Sequence, residues 1–178
     1  MNNRLIIFIS IFSILSFTSC KEQEPRLPVN VSSGVDYTES IELSKKINQR
    51  EERKFRKYVD NQDLKFERSN YGFLYHIENN SADLIKSKDE VKYTVVVEGL
   101  DGKLIYKRIN KRIAVDHQNE IKGMHEGLKL MSEGAEAIFL FPSHQAFGFH
   151  GDDKKIKSNT PLVYKVKILK VNNNQINN

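Results

Sequence analysis

The sequence predicts an α+β domain in which a short helix lies on an antiparallel sheet. Apolar and polar residues alternate along Asp89–Glu98 and along Leu162–Val171, as expected for half-buried strands. Between these strands, apolar residues recur at helical spacing at Ile121, Met124, Leu128 and Met131. A helix bracketed by alternating strands favours one layer of helix on one layer of sheet.

The predicted helix has an unusually bare flank. Asn119 is its predicted N-cap, and Gly134 is predicted to lie just past its end. Gly123 and Gly127 lie on one side of it. Because glycine inside a helix costs about 0.5–1 kcal/mol relative to alanine, we expect a sheet to pack closely against that side.

Further strands complete the predicted sheet. They are Gly72–Ile77, Lys103–Arg108, Arg112–Val115 and Ala135–Phe141, the last of which is ended by Pro142. Asp101-Gly102 marks a hairpin turn in which glycine can adopt a positive φ.

The N-terminal residues 1–19 are typical of a signal peptide. Arg4 is the only charged residue before Cys20, and Leu5–Phe17 is apolar apart from three serines. This run is shorter than the roughly 20 residues that span a bilayer, and it suits the apolar core of a signal peptide. Phe17-Thr18-Ser19-Cys20 resembles a bacterial lipobox, which implies cleavage before Cys20 and lipidation of its thiol. The alternative is an ordinary signal peptide followed by an incidental cysteine, the only one in the chain.

Residues 20–35 are predicted to be a linker and residues 36–62 a charged helical arm. The acidic residues after Cys20 resemble a surface-export signal, but a solvated linker is the favoured interpretation. The arm has no Pro or Gly and few apolar residues, so we expect one or two exposed helices that dock only near Phe55–Val59. Its basic residues alternate with acidic ones, which favours a solvated face over nucleic-acid binding; a dimer arm or a contact with anionic glycans is the remaining alternative. The polar tail 173–178 is predicted to be disordered.

The segment from Val91 to Val171 resembles the FKBP-type peptidyl-prolyl cis-trans isomerases. The motifs that carry the resemblance are Ile121-Lys122-Gly123-Met124, Met131-Ser132-Glu133-Gly134, Ala146-Phe147-Gly148 and Leu162-Val163-Tyr164-Lys165-Val166, together with Pro142 and Ile156. The loop Gly148–Ile156 resembles more particularly the gliding-motility-associated lipoproteins of the Bacteroidetes. The resemblance implies an FKBP-like antiparallel sheet wrapped on one short helix over residues 63–172, preceded by the helical arm.

The same resemblance implies a set of pocket residues. Phe147, Tyr106 and Met124 are the expected catalytic residues: Phe147 replaces a loop tyrosine, Tyr106 an aspartate and Met124 a tryptophan at the pocket floor. The expected substrate-binding residues are Val95, Ile105, Tyr106, Glu120, Ile121, Met124, Phe147, Phe149, Ile156 and Tyr164. Core packing alone would also explain Ile121, Ile156 and Tyr164, whereas aromatic residues on a loop, such as Phe147 and Phe149, more often bind ligands.

The expected reaction needs no cofactor. Rotation about an X-Pro bond makes and breaks no covalent bond, so an apolar pocket and a few donors suffice. The five histidines, His76, His117, His125, His144 and His150, form no metal-binding motif, and we expect no metal and no cofactor. The expected partners are proline-containing polypeptides of the bacterial cell envelope and, through Cys20, a membrane; no feature of the sequence assigns an oligomeric state. A non-catalytic binding module or chaperone using the same cleft is one alternative, and a structural lipoprotein acting through its arm is another.

Overall fold

The computed structural model describes residues 35–173. They form helix α1 (Val35–Asp60), strands β1 (Glu67–Arg68), β2 (Leu74–Glu78), β3 (Glu90–Gly99) and β4 (Leu104–Ala114), helix α2 (Lys122–Leu128), strand β5 (Glu136–Phe141), a 3₁₀ turn (Ser143–Gln145) and strand β6 (Leu162–Asn172). The predicted signal peptide, Cys20, the linker up to residue 34 and tail residues 174–178 lie outside the described residues. The chain divides into two units, Met1–Ser40 and Ile41–Asn178, and the fold below is that of the second. Within residues 35–173, no helix has both the length and the apolar character needed to cross a membrane.

The six strands form one antiparallel sheet in the order β1-β2-β5-β6-β3-β4. Its centre is the long pairing of β3 with β6, which runs from Gly99 opposite Leu162 to Glu90 opposite Asn172. Short helix α2 supplies the second layer of the core. The predicted α+β class is therefore confirmed.

The alternating pattern of β3 decides which face of the sheet meets α2. Val91, Tyr93, Val95 and Val97 are buried in one cluster with the residues of α2, whereas Lys92 is exposed on the opposite face. Burying large apolar side chains stabilises the fold by roughly 1.5–3 kcal/mol each. The sequence pattern and the two-layer architecture thus have the same physical origin.

The bare flank of α2 lies directly against the sheet, as predicted. A Cβ atom on Gly123 would lie 2.6 Å from Cδ1 of Phe141, and one on Gly127 would lie 3.0 Å from Cζ of Phe139. No side chain fits between helix and sheet here, so the intrinsic cost of glycine is offset by the packing it permits. The hairpin prediction is also confirmed, because Gly102 adopts a φ of 78° in the β3–β4 turn.

Helix α2 is shorter than the sequence predicts. It begins after Ile121 rather than after Asn119, and the N–H of Ile121 is taken by Oε1 of Glu120 at 3.0 Å. It ends at Leu128, where the chain turns so that the carbonyl of Met131 accepts the N–H of Ile85 at 2.9 Å. Met131 remains buried, so the apolar periodicity continued through a turn that is not helical.

Strand β4 is continuous, although two separate strands were predicted in this region. Val95 pairs with Ile109 and Val97 with Tyr106, so a bulge absorbs one extra residue of β4 without ending the strand. The predicted break at residues 109–111 is wrong, because these residues pair in regular register with β3.

The arm is one helix, and its second half packs on the outer face of the sheet. Phe55 is 2% exposed and clusters with Leu140 and Val163, whose side chains point away from α2. The packing also extends further toward the N-terminus than expected, because Glu51 is 2% exposed. The expected boundary at Phe55 followed from counting apolar residues, and it overlooked a buried polar one.

Candidate active site

A cavity of about 320 Å³ opens between the sheet and the loop that follows β5. Strand β3 supplies Val95 and Val97, strand β4 supplies Tyr106, Ile109 and Lys111, and strand β6 supplies Tyr164. The loop supplies Phe147, Asp152 and Lys154. Most of the wall is apolar or aromatic, and the charged groups belong to β4 and the loop.

The base of the cavity is continuous with the core through Tyr164. Its ring meets that of Phe141 edge to face, with the ring centroids 5.3 Å apart. Tyr164 is buried, and burial together with the nearby Glu120 carboxylate raises the pKa of its phenol. Among the described residues its hydroxyl has no hydrogen-bond partner, although the side chain borders the cavity. The cavity thus contains a neutral donor that the protein itself does not use.

The loop that carries Phe147 is held by its own backbone. The N–H of Gly148 donates to Ser143 O at 2.8 Å, and the N–H of Asn159 donates to Gly148 O at 2.8 Å. The N–H of Gly151 donates to Phe147 O at 3.2 Å. The start of the loop is attached to α1, because the N–H of Ser143 donates to Oε2 of Glu51 at 3.0 Å. Phe147 is therefore fixed by contacts on both sides of it in the chain.

Asp152 organises the second half of the loop. Its Oδ1 accepts the N–H groups of Lys154, Lys155 and Ile156 at 3.0, 2.9 and 2.7 Å, and its Oδ2 accepts the hydroxyl of Tyr106. Burial opposes ionisation of Asp152, but these donors together hold its pKa below the ordinary value. The same hydrogen bond raises the pKa of Tyr106. Tyr106 is thus an engaged donor that joins β4 to the loop.

A second carboxylate lies behind the cavity wall. The side chain of Glu120 is 4% exposed, and its Oε2 accepts both the hydroxyl of Tyr93 and the ammonium of Lys111. Burial, and then the Glu120 charge, raise the pKa of Tyr93. This network holds the Lys111 side chain, which is 33% exposed, at the edge of the cavity.

The structure brings some of the expected pocket residues together and separates others. Val95, Tyr106, Phe147 and Tyr164 line the cavity. Ile121, Met124 and Ile156 are buried in the core, Ile105 is half-buried against it, and Glu120 is buried behind Lys111. Met124 therefore supports the site from the core and does not border the cavity.

Phe149 lies apart from the cavity. It is 70% exposed and borders a different groove, together with Ile47 of α1 and His144. The side chains of Phe147 and Phe149, two residues apart in one loop, thus face different surroundings.

Several cavity residues were missed in the sequence. Val97 and Ile109 are visible only as strand residues. Lys111 and Asp152 become significant only through partners elsewhere in the chain, and so does Tyr93 behind the cavity wall. The one available signal was the register of β3, since Val95 and Val97 must share a face. Within residues 35–173, no group of three His, Cys, Asp or Glu side chains is placed to hold a metal ion.

The fold and the cavity define an α+β domain with an apolar cleft between the sheet and a loop. Residues 82–169 match the model of the family described as FKBP-type peptidyl-prolyl cis-trans isomerase. Residues 82–169 therefore form a domain of the FKBP-type peptidyl-prolyl cis-trans isomerase family, as the sequence motifs predicted.

Two curated relatives and a solved structure are similar to this chain. The chain is 32% identical over 123 residues to a probable FKBP-type peptidyl-prolyl cis-trans isomerase of Haemophilus influenzae, which covers 67% of this chain and 50% of that one. It is 33% identical over 104 residues to the probable isomerase FkpA of Neisseria meningitidis serogroup B, covering 56% of this chain and 38% of that one. The crystal structure of FkpA from Escherichia coli superposes with a TM-score of 0.59 at 20% identity, covering 96% of this chain and 82% of that chain. The chain spans half or less of the length of these two curated relatives, and the solved structure shows the shared fold.

Proposed function

We propose that this protein is a peptidyl-prolyl cis-trans isomerase that acts on X-Pro bonds of exported or envelope proteins. The observation that carries the proposal is the cavity itself, whose walls from Val95, Val97, Ile109 and Phe147 suit a proline ring. The family assignment and the curated relatives support the same reaction.

The chemistry follows from the nature of the barrier. Rotation about the X-Pro bond crosses a barrier of about 20 kcal/mol, because amide resonance is lost midway. The twisted amide is less polar than the planar one, so water stabilises the planar ground state more. An apolar cavity that removes the bond from water therefore favours the twisted state, which is preferential binding of the transition state.

Tyr164 supplies the donor that such a site needs. The Tyr164 side chain is almost fully buried, and its neutral hydroxyl has no partner among the described residues at the base of the cavity. Phe147 has no hydroxyl to offer, and the hydroxyl of Tyr106 is engaged by Asp152. In this proposal the Tyr164 hydroxyl fixes a backbone carbonyl of the client, while Phe147 closes over the proline ring.

The test is the cis-to-trans relaxation of a Leu-Pro peptide with and without the full-length protein. Acceleration at micromolar protein supports the proposal. If tens of micromolar protein bind the peptide without accelerating relaxation, the domain is a binding module or chaperone that uses the same cleft.

The finer part of the proposal concerns location. Lipidation of Cys20 after removal of residues 1–19 would anchor the protein in the bacterial cell envelope, with gliding-motility machinery among its clients. The position of Cys20 directly after an apolar run supports this, as does the resemblance of the loop Gly148–Ile156. Cys20→Ala should abolish labelling by a fatty-acid analogue and release the protein from membranes. Unchanged partitioning of that variant would contradict the anchor.

A further inference from the structure

The charged groups around the cavity have an uneven balance of donors and acceptors. The cavity is lined by two lysines, Lys111 and Lys154, and by one aspartate, Asp152. A carboxylate offers about four acceptor positions, and an ammonium group offers three donors. The number of those positions already used within the protein decides what the cavity presents to a ligand.

Most of the acceptors are occupied. Oδ1 of Asp152 receives three backbone N–H groups and Oδ2 receives the hydroxyl of Tyr106, which leaves one acceptor position on Oδ2. Glu120 receives the N–H of Ile121, the hydroxyl of Tyr93 and the ammonium of Lys111, and its side chain is almost fully buried. A ligand that brings hydrogen-bond donors therefore finds at most one free carboxylate position in this cavity, on Oδ2 of Asp152.

The donors are largely unoccupied. Lys111 gives a hydrogen bond to Glu120, so the rest of its donor capacity remains available at the cavity edge. The ammonium of Lys154 forms no ion pair with another described residue, and Lys154 borders the same cavity from the loop side. Both cations border the space into which a client segment must enter.

We infer that the cavity selects X-Pro segments in which an acidic side chain lies beside the proline. The inference rests on the proposed isomerase function and names its substrate class. The apolar walls take the proline ring, and the neighbouring carboxylate pairs with Lys111 and Lys154. Lys111 is the better defined of the two, because Glu120 holds it in place before the client arrives and less side-chain freedom is lost on pairing.

The experiment compares peptides acetyl-Ala-Xaa-Pro-Phe-amide in which Xaa is Glu, Gln or Lys. Exchange between cis and trans forms is followed by NMR with the full-length chain in a non-ionic detergent. The Glu peptide should have a kcat/KM roughly three- to fivefold above that of the Gln peptide, as a partly exposed ion pair provides, and the Lys peptide should be the poorest. The preference should decrease as salt is raised from about 0.05 M to about 0.5 M. Equal values for Glu and Gln at low salt overturn the inference.

Variants assign the preference to the two lysines. Lys154→Gln should lower the Glu-to-Gln ratio, and so should Lys111→Gln combined with Glu120→Gln, which removes both charges of the buried pair together. Lys157→Gln is the matched control, since Lys157 is an exposed lysine of the same loop that does not line the cavity. An unchanged ratio in both cavity variants contradicts the inference.

A binding measurement separates this inference from the proposed function. If no peptide is accelerated, the isomerase proposal fails. Fluorescence anisotropy of the labelled Glu and Gln peptides then decides the inference independently. Tighter binding of the Glu peptide supports it, and equal affinities overturn it.

Discussion

The carboxyl group of Glu51 in α1 accepts the backbone N–H of Ser143 at 3.0 Å, across 92 residues of chain. Ser143 begins the 3₁₀ turn from which the loop with Phe147 departs. The second oxygen, Oε1, is buried without a hydrogen-bond partner among the described residues. This polar contact connects the arm to the loop that carries Phe147.

Glu51→Ala should lower the free energy of unfolding by about 1–3 kcal/mol, because the buried N–H of Ser143 loses its acceptor. Glu51→Gln should be at least as stable as the natural protein, since the amide oxygen keeps the contact and no charge is buried. Urea unfolding of the two variants measures the difference. Equal stability of the Ala and Gln variants would show that the contact contributes nothing.

Gly123→Ala should destabilise the fold by about 1–3 kcal/mol, although alanine alone favours a helix by about 1 kcal/mol. The new Cβ atom would meet Phe141 at 2.6 Å and the backbone oxygen of Gln145 at 3.1 Å. Gly127→Ala is the matched comparison and should cost less, because the atoms nearest to its new Cβ would be ring atoms of Phe139, at 3.0 Å and beyond. Thermal unfolding measures both. A stabilised Gly123→Ala protein would contradict the packing described for α2.

Asp152→Asn should destabilise the protein at neutral pH, and the difference should fade in acid. The folded-state pKa of Asp152 is lowered, so its contribution is present above the ordinary value of about 4 and is lost as the pH falls through the folded pKa. Urea unfolding of both proteins between about pH 6 and about pH 3 measures this convergence. Asp153→Asn is the control. Asp153 is the next residue in the loop, and its carboxylate does not accept the hydrogen bonds that Asp152 receives. A difference for Asp152→Asn that grows in acid would contradict the hydrogen bonding assigned to it.

Tyr164→Phe should lower the isomerisation rate by up to roughly tenfold, because it removes a hydrogen bond to the client of about 0.5–1.5 kcal/mol. Stability should change little, since the hydroxyl has no partner among the described residues. Phe147→Tyr should raise the rate of the natural protein modestly and restore part of the loss in Tyr164→Phe, because it supplies a hydroxyl from the loop. An unchanged isomerisation rate in Tyr164→Phe would show that the Tyr164 hydroxyl is not the donor to the client carbonyl.

Local sequence patterns predicted the elements that depend on periodicity, and tertiary contacts decided the rest. The alternation in β3 and the bare glycine flank of α2 follow directly from burial on one face. The start of α2 could not be predicted in this way, because the Glu120 side chain is directed to Tyr93 and Lys111, which lie elsewhere in the chain. Similarly, Asp152 reaches Tyr106 across 46 residues, a distance at which no sequence pattern operates. Phe147 and Phe149 are the same residue type in one irregular loop, so only the folded structure distinguishes their surroundings.

The different surroundings of Phe147 and Phe149 give the most direct test of the proposal that the proline ring packs against Phe147. The kcat/KM for a Leu-Pro peptide is measured for Phe147→Ala and Phe149→Ala, with urea unfolding as the check that both proteins fold. Phe147→Ala should lower kcat/KM by roughly tenfold or more, because the proline ring of the peptide loses a large apolar contact. Phe149→Ala should retain the natural kcat/KM, since the Phe149 side chain borders another groove. A folded Phe147→Ala protein with the natural rate, or a larger loss in Phe149→Ala, would contradict the assignment of the active site to this cavity.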